Sequence, residues 1–294
     1  MELITGENDN GRRLDRILRK ALPNHPLPLI HRLLRKGQVL INGKPAKAQD
    51  RIDCGVSICI PSLKDMPKAA PSSPSLPFPE ILWQDSGLLA VNKPPGLAVH
   101  GPGSLDEMVR SFLAEKLPPS LSFKPGPLHR LDKPSSGIVV FSTNIEGARL
   151  FSSLMRERRV RKTYLALVEG NLKKKEIWED ELVRDAEKKK TFVSRQHSAA
   201  SKSAVTRIMP LASDGGSSLV MAEIATGRTH QIRAQAASRG HPLTGDIKYG
   251  GGKGSFFLHA WKLVFLEHSI EAPLPETFRK KIKYFFGDDI GNYF

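Results

Sequence analysis

Two stretches of this chain are apolar at consecutive positions, Ile138-Val139-Val140-Phe141 and Leu165-Ala166-Leu167-Val168. A strand turns successive side chains to opposite faces, so a strand that is apolar throughout must be covered on both sides. This commits the chain to a layered fold with strands inside and other elements around them. The first run is fed by Pro127-Leu128-His129-Arg130-Leu131-Asp132-Lys133-Pro134-Ser135-Ser136-Gly137, a loop with one carboxylate, two cations, an imidazole and two hydroxyls. Asp-Lys-Pro-Ser-Ser-Gly alone reads as well as a turn capped by its Asp as it does as a functional site.

Helical patterns flank these strands. Ser104 and Glu107 have capping-box spacing ahead of Leu105, Met108, Val109, Phe112 and Leu113, a helix expected to end at Pro118-Pro119. Thr143 and Glu146 suggest a second capping box ahead of Leu150, Phe151, Leu154 and Met155. A strand over Leu219–Ala225 leads through Thr226-Gly227-Arg228-Thr229-His230 toward a helix with Gly240 as its stop, and its N-terminus with Arg228 makes a candidate phosphate seat. Residues 171–203, rich in Lys and Glu and weakly patterned, read as an edge hairpin or mobile insertion without chemistry.

The first 62 residues read as a separate basic module. Leu14, Ile17, Leu18 and Leu22, then Ile30, Leu33 and Leu34, give two short helices with Gly37 closing the second. A strand pair follows, from Val39-Leu40-Ile41, a turn at Asn42-Gly43, and the alternation of Val56, Ile58 and Ile60. Arg16, Arg32, Arg35 and Lys36 lie off the apolar stripes, and the module has 11 Lys and Arg against 6 Asp and Glu. Any one of them is ordinarily a solvated cation, but the excess favours phosphate contact. Residues 63–78, rich in Pro, Ser and Ala, read as a flexible linker, leaving 79–294 as the large domain.

Across the 294 residues the net charge is +15 with a pI near 9.9, which asks for a polyanionic partner. Nucleic acid comes before membrane, since no apolar run approaches the roughly 20 residues that span a bilayer. The opening residues carry no secretory pattern, and the expected compartment is the cytoplasm. Cys54 and Cys59, read as lying on opposite faces of one strand, suit neither a disulfide nor a shared metal.

The motifs taken together are more specific. His129-Arg130-Leu131-Asp132-x-x-Ser135-Ser136-Gly137 is similar to the His-Arg-Leu-Asp-x-x-Thr-Ser-Gly signature of the RluA-type pseudouridine synthases, with Ser135 in place of Thr. Lys93-Pro94-x-Gly96-x-x-x-His100, Lys162-x-Tyr164-x-Ala166-x-Val168-x-Gly170 and Thr226-Gly227-Arg228-Thr229-His230-Gln231-Ile232-Arg233 resemble further motifs of that family, in its order. So do Gly245-Asp246-x-x-Tyr249-Gly250 and Leu258-His259-Ala260. In the module, Arg13-Leu14-Asp15 and Gly37-Gln38-Val39-Leu40-Ile41-Asn42-Gly43-Lys44 resemble the small RNA-binding domain named S4, although Pro23–Pro28 replaces its usual Ser-Arg-rich turn.

The resemblance implies an α+β pseudouridine synthase fold: a mixed, mainly antiparallel sheet of about eight strands with a catalytic cleft, plus the small α/β RNA-binding domain. It implies RNA as partner, ribosomal before transfer RNA, a monomer, and neither metal nor cofactor. Asp132 would attack the sugar or take a proton from it, Arg233 would keep that carboxylate ionised, and Tyr164 would stack on the uracil and help remove the C5 proton. Arg130 would fill the place vacated by the flipped nucleotide. His129, Lys93, Arg228, Arg158, Arg159 and Arg161 are the further expected RNA contacts, with His129 also an orienting residue. No second carboxylate stands out in the motifs, which favours isomerisation over two-carboxylate glycoside hydrolysis. A catalytically silent RNA-binding or assembly factor and a base-releasing glycosylase are the competing readings.

Overall fold

The computed structural model describes residues 1–63, 78–194 and 196–293, so the expected linker falls almost wholly outside the described residues. The N-terminal part comprises β1 (Glu2–Ile4), β2 (Arg12–Arg13), α1 (Leu14–Ala21), α2 (Leu27–Arg35), β3 (Leu40–Ile41), β4 (Lys44–Pro45), β5 (Arg51–Ile52) and β6 (Ser57–Cys59). The apolar stripes of both helices close over one small core with Val39, Ile52 and Ile58. Asn42 and Gly43 both have positive φ in the β3–β4 turn, the conformation for which Asn-Gly is suited. Cys54 is exposed and lies outside β6, so the two cysteines do not share a strand as the spacing suggested; both are free.

The large part continues with β7 (Ile81–Gln84), β8 (Leu88–Lys93), α3 (Leu105–Leu113), β9 (Gly126–Pro127), β10 (Ser136–Ser142), α4 (Ile145–Arg156), β11 (Arg161–Glu169), β12 (Glu176–Asp185), β13 (Lys190–Ser194), β14 (Lys202–Ser213), β15 (Ser217–Ile224), α5 (Gln231–Ser238), β16 (Leu258–Phe265), β17 (His268–Glu271) and α6 (Glu276–Phe286). The sheet runs β13-β12-β14-β15-β11-β16-β10-β8-β7, with β17 on β16 and β9 on β10, giving 11 strands rather than about eight. The pair β10/β16 is parallel, and the other registered pairs of this sheet are antiparallel. The α+β class expected from the sequence holds.

The fully apolar strands β11 and β10 lie inside the sheet on either side of β16 and divide their side chains as strand geometry requires. Leu89, Val91, Val139, Phe141, Ala166 and Val168 face one layer, packing with α3 and α5. Leu88, Ala90, Ile138 and Val140 face Phe151 and Leu154 of α4, while Leu165 and Leu167 face Phe278 and Ile282 of α6. Each such side chain taken fully from water contributes about 1.5–3 kcal/mol, enough in sum to hold the loops at the sheet's edge in place.

Neither expected capping box forms. Glu107 Oε2 accepts from the Gly103 N–H at 2.8 Å, Ser104 makes no cap bond, and the helix ends at Leu113, before the prolines. At the second, Asn144 is the cap, accepting from Gly147 N–H at 2.7 Å, while Thr143 Oγ1 donates to Ser86 O. Within residues 171–203, β12, β13 and the start of β14 belong to the sheet. Trp178 of β12 is buried in the main core, and β13 supplies the edge.

The module is docked on the large domain. Asp9 is fully buried, and its carboxylate accepts from Ser120 Oγ, Leu121 N–H and Ser122 N–H, each at 2.9 Å, and from Ser122 Oγ. Arg12 donates to Ser122 O, Asn8 accepts from Ile145 N–H, and Leu121 packs against the module's core. A Cβ on Gly6 would lie 2.0 Å from Pro119 O, so only glycine allows this approach. The module is thus held by a carboxylate that takes up a bracket of donors of the large domain, while the expected linker itself lies almost wholly outside the described residues. Asp9→Ala should strip those donors of their partner, weakening docking by about 1–3 kcal/mol or more. Amide hydrogen exchange should then accelerate at Leu121 and Ser122 while β11 stays protected; unchanged exchange at those two amides would refute the bracket.

Candidate active site

Asp132 lies in the loop that enters β10, where Ser135 N–H donates to Asp132 O at 3.1 Å. The first residues of β10 are pinned to β16: a Cβ on Gly137, whose φ is 107°, would stand 2.3 Å from Ala260 O. Glycine is therefore required for the parallel pairing that sets where this loop leaves the sheet. On the other side of β16, the β11 register shifts between Thr163 and Tyr164, and Tyr164 then lies opposite Ala260 and Ala222. The irregularity re-aims the tyrosine, and two alanines leave space for its ring.

Helix α5 supplies Arg233. Gln231 and Gln235, four residues apart on one face, clamp the helix to the sheet. Gln231 Nε2 donates to Val205 O and Thr206 Oγ1, and Gln235 Nε2 donates to Trp178 O and Asp180 Oδ2. Arg233 points elsewhere and is almost wholly buried. Its Nη1 donates to Asp132 Oδ2 at 2.9 Å, while Nε and Nη2 donate to the two oxygens of Asp246 at 2.7 and 2.8 Å. Burial works against the Arg233 charge, but its bonds to Asp246 and then Asp132 more than offset this, and its pKa is raised.

Asp246 is the second carboxylate that the sequence reading did not single out. Both its oxygens are taken by the guanidinium and it is 1% exposed, so it fixes Arg233 rather than facing a ligand. Asp132 remains partly open. It lines a pocket of about 280 Å³ together with Arg130, Lys162, Tyr164, Arg228 and His230. Burial, with the Asp132 charge adding to it, raises the Tyr164 pKa, so this phenol stays protonated.

The remaining expected residues sort by exposure. Arg130 is exposed at the pocket, and Arg228 is exposed with Nε donating to Ser203 O at 3.0 Å. Arg158, Arg159 and Arg161 are exposed beyond α4, and Arg16, Arg32, Arg35 and Lys36 are exposed on the module. Lys93 does not fit the expectation of an RNA contact: it is fully buried, and Nζ donates to Pro94 O, Leu97 O and Lys133 O, holding the two loops together. Desolvation lowers its pKa to about 8. His129 offers no positive charge either, because its Nε2 accepts from Val140 N–H at 3.1 Å and burial lowers its pKa to about 3. In the loop ahead of α5, Gln231 Oε1 accepts from Arg228 N–H and Thr226 Oγ1.

His230 and Tyr249 were legible only as letters of a motif. His230, held at φ 55°, places Nε2 at 3.7 Å from Asp132 and Nδ1 at 2.9 Å from Tyr249 Oη. Desolvation outweighs the Asp132 charge and lowers its pKa to about 4, so it stands beside the carboxylate as a neutral imidazole. His259, fully buried between Ser136 Oγ and Ala272 O, is likewise lowered by burial to about 4.

Two measurements test this electrostatic layout. Arg233→Met should leave Asp246 as an unpaired buried carboxylate and cost about 3–5 kcal/mol in urea unfolding at pH 7; a loss under 1 kcal/mol would contradict the bridge. His129, His230 and His259 are neutral when folded, whereas the unfolded chain protonates them below about 6.5. Stability should therefore be full above that pH and fall as the pH drops from about 6.5 toward 4; a flat urea midpoint over this window would be inconsistent with three neutral imidazoles.

Known proteins resemble this chain over most of its length. The model of the RNA pseudouridylate synthase family matches residues 87–238, and that of the S4 domain matches residues 12–56. The chain is 32% identical to ribosomal large subunit pseudouridine synthase C of Vibrio cholerae, covering 91% of this chain and 89% of that one. It is 30% identical to the Escherichia coli protein of the same name, covering 93% and 92%. Among solved structures, human RNA pseudouridylate synthase domain containing 4 aligns with a TM-score of 0.59 at 25% identity, covering 69% of this chain and 91% of that one.

Proposed function

The chain belongs to the RNA pseudouridylate synthase family, and from this we propose that it isomerises specific uridines to pseudouridine in large-subunit ribosomal RNA, the substrate named for its relatives. The observation that carries the site assignment is the single open carboxylate, Asp132, tied to Arg233 and sharing its pocket with Tyr164.

The reaction breaks the C1′–N1 bond, turns the uracil, and joins C1′ to C5; the C5 proton leaves and N1 gains one. Asp132 engages the sugar. Arg233, held by Asp246, fixes one oxygen of Asp132 and leaves the other for the substrate. Tyr164 presents its ring to the base; as a neutral phenol it receives the C5 proton only while passing its own hydroxyl proton on, toward the N1 that gains one. Among the residues lining the pocket Asp132 is the carboxylate, which suits a rearrangement better than hydrolysis by two acids.

A uridine inside folded RNA must be flipped out at a cost of a few kcal/mol, offset by phosphate contacts and stacking. In this reading Arg130, exposed at the pocket, enters the gap. Arg158, Arg159 and Arg161, with Arg16, Arg32, Arg35 and Lys36 of the module, supply exposed cations for the surrounding phosphates. In this reading the domain limits are 1–62 and 79–294, and the enzyme works as a monomer in the cytoplasm.

Tritium release from ribosomal RNA labelled at uridine C5 tests the proposal. Wild type should release tritium and yield pseudouridine without free uracil. Asp132→Ala should do neither while binding RNA within about tenfold, roughly 1.4 kcal/mol, of wild type. Turnover by Asp132→Ala near the wild-type rate would remove this carboxylate from the chemistry, and free uracil would mean a glycosylase.

A further inference from the structure

Lys162 is a buried cation without an anion. It is 8% exposed, and its ammonium makes no hydrogen bond or ion pair among the described residues. Burial alone lowers its pKa, whereas the arginine deeper in the site is held by two carboxylates. The side chain is largely taken from water while its Nζ keeps access to solvent through the pocket, so an anion that enters the pocket can pair with it directly.

The surroundings say which partner. Lys162 lines the same pocket as Asp132, with Arg130 and Arg228 as further cations. The pocket's one carboxylate is already bound to Arg233, and its His129 and His230 are neutral, so what remains is net positive. Met155 and Leu128 add no polar competitor. Gly227 leaves the ammonium uncovered: a Cβ there would sit 3.5 Å from Lys162 Nζ, and any longer side chain would lie across it.

We propose that Lys162, uncovered by Gly227, is the seat for a phosphodiester group flanking the extruded uridine, so that the target nucleotide is held by its backbone as well as by its base. This rests on the synthase reading for the identity of the ligand. Lys162 is a binding residue here, distinct from the exposed arginines in that it meets the RNA only after the nucleotide has left the helix. Its contact therefore belongs to the flipped state and favours that state over the stacked one.

The test uses the full chain and a short RNA containing the mapped target uridine, made with its 5′ phosphodiester, its 3′ phosphodiester, or neither replaced by a neutral methylphosphonate. For wild type, one of the two replacements should lower kcat/KM about tenfold or more. Lys162→Met should lower kcat/KM on unmodified RNA by a similar factor and show no further loss with that replacement, the signature of a shared contact. In binding alone, its salt slope should fall by about one. Gly227→Val, which keeps the lysine but covers it, should reproduce the loss and decides the matter if Lys162→Met does not fold. Equal sensitivity of wild type and variants to both replacements, or an unchanged salt slope, overturns the proposal. Absence of pseudouridine with wild type is a failure of the synthase reading instead, and the salt slope then still tests the anion seat.

Discussion

One buried guanidinium holds this structure's chemistry in place. Arg233 spends two of its donors on Asp246 and a third on Asp132, so one fully committed carboxylate orients the cation that orients the partly open one. A buried ion pair is poor evidence for stability, because desolvation offsets attraction. Here its value is positional: the loop before β10 is tied, across 101 residues, to helix α5 and the loop that follows it at hydrogen-bond distances. The glutamine clamp on α5, Gly137 against Ala260, and the irregular register before Tyr164 all serve to bring their segments to that point.

Much of this was legible in the sequence, for identifiable reasons. Strands apolar on both faces declared themselves as central because no other placement buries Ile138 to Phe141. Asp132, Tyr164 and Arg233 came from motif resemblance, and helical periodicity alone would have left Arg233 a surface cation. What stayed hidden depends on distance in three dimensions. Asp246 lies 13 residues beyond Arg233 with no periodic relation to it. Lys93 sits in a motif full of turn residues, and nothing local shows that its ammonium is consumed by three carbonyls. The capping boxes failed by small shifts: Asn144 beside Thr143 is a better cap, and Glu107 found Gly103 instead of Ser104.

The docked module shows the same limit on a larger scale. A run of Pro, Ser and Ala describes a connection, and does not say whether the parts it connects touch. Asp9 reads as one acid in a basic segment, yet four donors from residues 120–122 converge on it.

The bracket has a consequence for what the enzyme accepts. A module swinging on a tether would tolerate any spacing between the RNA it grips and the uridine it presents. A module fixed at Asp9 acts as a caliper with a single setting: its exposed cations and the Asp132 pocket are held a constant distance apart. Under the proposed function, that fixed spacing would favour RNA whose own fold spans it.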